Sequence, residues 1–157
     1  MSAPHADHPL AAMHDSPVSW ALMTLAHAQR ARAASRLAPL GLFPGQELML
    51  MQLWHEDGRS QKELGGLLGL DHSTVAKSVQ RLERSGLVKR SRSPLDGRVV
   101  LVHVTEAGLA LEAPVLAVWS ELEALATTPF SPSEREQFLA LTAKLMGQED
   151  RASVSNR

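Results

Sequence analysis

The chain has 157 residues, 44% hydrophobic and 21% charged, the profile of one ordinary globular domain long enough to bury a core. It has no cysteine, which excludes disulfides, thiolate zinc sites and thiol redox sensing. The formal net charge is only −1, but residues 60–104 carry eight basic and four acidic side chains while residues 105–157 carry four and eight, so the middle third suits a polyanion.

Residues 1–15 lack periodicity and read as a disordered tail. They contain no basic stretch followed by an apolar one, so no signal peptide is expected. No apolar run approaches the roughly 20 residues that span a bilayer, so the expected location is cytoplasmic, without membrane contact. His5, Asp7, His8 and His14 read as solvated residues rather than metal ligands, and neither metal nor cofactor is expected. Ser16 and Pro17 then supply an N-cap and a first-turn proline for a helix of about 20 residues, which Pro39 stops. Pro44 opens a second helix over residues 45–55, closed by Asp57 and Gly58.

Ser60 and Glu63 form a capping box for a short third helix ending near Gly69. Gly65 and Gly66 inside it cost about 1 kcal/mol each against alanine, which suggests close approach of a crossing helix. Asp71 or Ser73 caps a fourth helix that runs to about Ser85 and stops at Gly86. The period then changes to two: residues 87–90 and 99–104 bracket Pro94, Asp96 and Gly97 as a β-hairpin. Thr105 caps a long fifth helix to about Thr127, with Pro114 marking a kink or a later start. Ser131 and Glu134 open a last helix through Met146.

Helix, short helix, glycine-containing turn, helix and hairpin are the parts of a winged helix-turn-helix. At 100° per residue, Val75, Val79 and Leu82 share one face of the fourth helix, and Thr74, Lys77, Arg81 and Arg84 cluster on the opposite one. A lone cationic stripe is ordinarily a solvated face. This one follows a second helix at helix-turn-helix spacing, contains no acid, and precedes a hairpin bearing Arg90, Arg92 and Arg98. The candidates for base edges in the major groove are therefore Ser73, Thr74, Lys77 and Ser78. Ser60, Gln61 and Lys62, at a helix N-terminus, suit a phosphate, as do Arg84 and Arg92. Arg98 is placed for the minor groove or its flanking phosphates.

With those residues in place, the chain resembles the MarR (multiple antibiotic resistance regulator) family over about residues 17–147. The likeness rests on residues 36–42 (RLAPLGL), 60–68 (SQKELGGLL), 70–75 (LDHSTV), 81–88 (RLERSGLV), 96–98 (DGR) and 105–108 (TEAG). It implies a mainly α fold with a small β-hairpin wing: a winged helix-turn-helix lobe over about 45–104, with dimerisation helices over about 17–38 and 105–147. Residues 16–148 would then form one domain, with a frayed tail over 149–157. It also implies that Asp96 orients Arg98 in the wing. Gly97 stands where relatives often carry a second arginine, and Phe43 where they often carry a Ser or Thr cap.

A surplus of apolar side chains on the fifth and last helices independently suits a homodimer, whose twofold axis would select a palindromic operator with half-sites about 10 bp apart. The resemblance further implies a pocket for a small, often anionic aromatic effector, with Trp20, Met23, His27, Gln46 and Trp54 as candidate lining. Such a stripe is otherwise ordinary core. His55 and Glu56 lack a second histidine for a metalloprotease motif, and no Gly-x-Ser-x-Gly or phosphate loop exists, so no enzyme is expected. The expected function is a sequence-specific double-stranded DNA-binding regulator, a repressor released by an effector. The alternative is an effector-independent architectural or activating DNA-binder.

Overall fold

The computed structural model of the chain describes residues 15–154; the histidine-bearing segment around His5, His8 and His14 lies outside them. The helices are α1 (Pro17–Leu37), α2 (Gln46–His55), α3 (Gln61–Leu68), α4 (His72–Arg84), α5 (Glu106–Leu109), α6 (Glu112–Thr127) and α7 (Pro132–Val154). A 3-10 turn, Ala38–Leu40, follows α1 and contains Pro39. Strands β1 (Arg59–Ser60), β2 (Val88–Arg92) and β3 (Val100–Val104) form an antiparallel sheet in the order β1-β3-β2. Among the described residues, no helix is long and apolar enough to cross a membrane.

The chain separates into two compact units, divided after Trp119 within α6. The first has a core of Leu37, Leu42, Met49, Leu50, Leu53, Leu64, Val75, Val79, Leu82, Val88 and Val102, nearly all fully buried. α2, α3, α4 and the sheet turn most of this set inward, and Leu37 of α1 and Leu42 of the following loop complete it. In the second, Ser131 and Glu134 form a reciprocal capping box at the start of α7. Phe130 lies 5.6 Å from Phe138, centroid to centroid, and Arg135 pairs with Glu123.

Three local expectations are corrected. Ser16 precedes α1, but its side chain makes no capping bond. Pro44 does not open α2; Gly45 is the N-cap, and the carboxylate and amide of the next two residues close the end instead. Gln46 Oε1 accepts the Phe43 N–H at 2.9 Å and Glu47 Oε2 accepts the Gly45 N–H at 2.7 Å, which replaces the cap that Phe43 cannot supply. The expected fifth helix is two, α5 and α6. Pro114 has no N–H to give the Ala110 carbonyl, so the helix cannot run through and restarts at Glu112.

Candidate nucleic-acid interface

The geometry of α4 follows from its pattern. Val75 and Val79 are fully buried and Leu82 nearly so, whereas Ser73, Thr74, Lys77, Arg81 and Arg84 are exposed and Ser78 is half-buried. Asp71 is the N-cap: Oδ1 accepts the Thr74 N–H at 2.9 Å and Oδ2 the Thr74 hydroxyl at 2.6 Å. The Thr74 hydroxyl, then its N–H, lower the Asp71 pKa to about 2, so this cap is ionised at any physiological pH. The bond also fixes the Thr74 side chain, with its hydroxyl proton committed to the cap.

The preceding turn sets the angle of α4. Gly69 adopts φ +63° as the C-cap of α3, and the Leu70 N–H returns to the Gly65 carbonyl at 2.9 Å. A Cβ on Gly65 would stand 3.0 Å from the Leu70 carbonyl oxygen and 3.4 Å from Val75, so this glycine allows the close approach expected of it; Gly66 faces open space and does not. At the start of α3, Ser60 Oγ accepts the Glu63 N–H at 3.2 Å and Glu63 Oε2 accepts the Ser60 N–H at 2.7 Å. The Ser60 backbone N–H, first among the causes, holds the Glu63 carboxyl below its ordinary range. Ser60 and Gln61 are half-buried and Lys62 is exposed.

The wing is braced by its own side chains. Arg92 donates to the Gly97 carbonyl at 2.7 Å, and Ser93 Oγ accepts from the backbone of Leu95 at 3.2 Å and of Asp96 at 3.4 Å. Asp96 accepts the Arg98 backbone N–H at 3.0 Å. The aspartate thus orders the arginine's backbone rather than gripping its guanidinium, which stays exposed.

Sequence reasoning missed three features of this lobe. Strand β1 pairs Arg59 with Val102 and Ser60 with Leu101, and two residues are too few for any periodicity. Glu83 accepts two bonds from Arg90, at 2.9 and 2.6 Å, which joins α4 to β2 and takes Arg90 out of the free positive charge. His103 Nδ1 lies 3.0 Å from Asp57 Oδ2 and its Nε2 3.0 Å from Ser91 Oγ, while Asp57 Oδ1 accepts the Val104 N–H at 2.7 Å. Burial raises the Asp57 pKa, but the bonds from Val104 and His103 outweigh it and the net shift is downward. That cluster pins the loop after α2 to β3, the central strand.

The five effector candidates are not equivalent. Trp20, Met23 and His27 are exposed on α1. Gln46 is buried in its capping role, and Trp54 donates Nε1–H to the Gly108 carbonyl at 3.1 Å. Gln46 also lines a groove of about 460 Å³ with Gly41, Phe43, Arg81, Arg84 and Ser85; none of the other four candidates lines it. Within that groove the Arg81 guanidinium lies 5.9 Å from the centroid of the Phe43 ring.

A short cap-bound helix, a glycine turn, an amphipathic helix with an exposed cationic face and a braced hairpin define a winged helix-turn-helix protein. Comparison with known proteins gives the family. Residues 44–100 match the model of the MarR family. The chain is 40% identical over 98 residues to the HTH-type transcriptional regulator TtmR of Methylorubrum extorquens, a match covering 62% of this chain and 50% of TtmR. The chain thus spans about half the length of that curated relative. It resembles the crystal structure of a probable transcriptional regulator from Pseudomonas aeruginosa with a TM-score of 0.68 and 33% identity, over 79% of this chain and 96% of the other. For the crystal structure of MarR, the TM-score is 0.74 at 27% identity, over 86% and 98%. Residues 44–100 of this chain are a MarR-family domain, and the likeness in structure extends beyond them.

Proposed function

We propose that this regulator binds double-stranded DNA sequence-specifically as a homodimer in the cytoplasm. In this reading it represses by covering a promoter and is released by a small molecule. The observation that carries the reading is the surface of α4, where Thr74, Lys77, Arg81 and Arg84 are exposed opposite buried Val75, Val79 and Leu82. Ser73, Thr74, Lys77 and Ser78 then meet base edges, because residues at the N-terminal end of such a helix reach deepest into the major groove. Ser60, Gln61 and Lys62 hold a phosphate at the N-terminus of α3, and Arg84 and Arg92 hold others. Arg98, ordered through Asp96, reaches the minor groove.

Exposed apolar side chains support the dimer. In α1 these include Val18, Trp20, Leu22 and Leu25, and in α7 Leu139, Leu141, Leu145 and Met146. The effector-independent reading also has an observation in its favour, since Gln46 Oε1 and Trp54 Nε1–H are already engaged by backbone. Titrating the chain against its own upstream DNA at several salt concentrations tests the main reading. A specific complex weakens steeply with salt through counterion release, and adding candidate metabolites separates the two forms of regulation. Equal affinity for random and upstream DNA, or a monomeric mass at working concentration, would refute it.

A further inference from the structure

Leu95 is 97% exposed, the most exposed large apolar side chain among the described residues, and it stands at the tip of the wing beside Pro94. The loop that carries it is well ordered without its help. The bonds from Arg92 to Gly97, from Leu95 and Asp96 to Ser93, and from Arg98 to Asp96 leave its side chain out. Beyond Leu101, where β1 ends, the sheet narrows to the two strands β2 and β3. The tip is therefore a slender projection on the order of 10 Å long, carrying one leucine and one unpaired guanidinium, that of Arg98.

We propose that Leu95 is a specificity-determining contact with the DNA minor groove, packing against the deoxyribose walls beside Arg98 and favouring A·T-rich flanks. This rests on the DNA-binding reading above. The chemistry fits the projection on both counts. A narrow A·T groove concentrates negative potential for the guanidinium and brings its sugar walls close enough to enclose a leucine. In a G·C groove the guanine N2 amino group rises from the floor into the same space. A polar tip would satisfy Arg98 alone; an apolar one adds a reader of groove width. Burying about half of the leucine side chain corresponds to about four- to fivefold in affinity per wing, and about twentyfold for two wings.

The test uses the full chain and duplexes that it selects from a randomised library. The flanks of a selected duplex are rebuilt as A·T, inosine·cytosine or G·C pairs. Inosine lacks the N2 amino group, so it presents an A·T-like minor groove with the major-groove edge of guanine. The wild type should bind the A·T and inosine forms alike and the G·C form at least tenfold more weakly. Leu95→Asn should weaken the first two about twentyfold and the G·C form less than twofold, with an unchanged melting temperature. An Arg98→Ala arm reports the cationic share of the preference. Leu95→Asn binding within twofold of wild type on A·T flanks, or an equal loss on all three flanks, overturns the proposal alone. A wild-type chain that selects no duplex overturns the DNA-binding reading as well.

Discussion

Gly108→Ala should be among the most damaging single-methyl additions available to this chain. Gly108 sits in α5, where its backbone closes against the start of β2. A Cβ there would stand 2.2 Å from the Leu87 carbonyl oxygen and 2.7 Å from Val104 Cγ2. The nearer atom is backbone and cannot swing aside. Relief requires α5 to retreat, and three bonds tie it down: Thr105 N–H to Leu87 O at 3.0 Å, the Thr105 hydroxyl to Gly86 O at 2.6 Å, and Trp54 Nε1–H to Gly108 O at 3.1 Å. Overpacking of this kind costs about 1–3 kcal/mol, and loosening two of the bonds adds about 1 kcal/mol each, for about 3–5 kcal/mol in total. In a chain of this size that lowers the melting temperature by about 10 °C. Thermal unfolding followed by circular dichroism measures it directly. A decrease smaller than about 3 °C would show that the junction is not closed as described.

Gly66→Ala should do the opposite: Gly66 lies inside α3 with nothing within 4 Å of its absent Cβ, so the substitution should stabilise by about 0.5–1 kcal/mol in urea titration. Asp57 has a folded pKa below its ordinary value, so its contribution is full above about pH 4 and disappears as the pH falls through the lowered value. Asp57→Asn should accordingly unfold more readily than wild type at pH 7, with the difference vanishing in acid. Glu47 is shifted the other way: burial raises its pKa despite the backbone bonds from its own residue and Gly45, so its ionisation works against folding as the pH rises. The stability of Glu47→Gln relative to wild type should therefore grow with pH above the ordinary glutamate range. In DNA titrations, Arg84→Ala should weaken all sequences and reduce the salt slope by about one, whereas Lys77→Ala should also relax base preference.

What could be read from the sequence was local. Ser60 and Glu63 stand three residues apart and close one box between them, so the start of α3 needs no knowledge of the rest of the chain. The faces of α4 were equally legible, because buried Val75, Val79 and Leu82 repeat at the helical period. The wing was visible in its β-branched strands. Long-range partners left no such trace: Asp57 and His103 are 46 residues apart, and strand β1 exists only because β3 lies beside Arg59 and Ser60. The start of α2 was misread for a related reason. Proline statistics favoured Pro44, while the bonds that close that end come from Gln46 and Glu47, which read as ordinary first-turn residues.

The same distinction governs the charge. Residues 60–104 hold eight basic side chains, but they do not contribute alike to the field that DNA would meet. Arg90 is matched by the charge of Glu83, whereas Arg92 is held by the wing backbone and keeps its charge. The side chains of Lys62, Lys77, Arg84, Lys89 and Arg98 have no hydrogen-bond or ion-pair partner among the described residues, and that of Arg81 meets only the face of Phe43. Asp71 is ionised in their midst, yet its charge is taken up by the N–H groups that open α4. An acid at that position therefore orients the cationic helix without cancelling it. The positive surface is smaller than composition suggests, and it is concentrated on α4, the start of α3 and the wing.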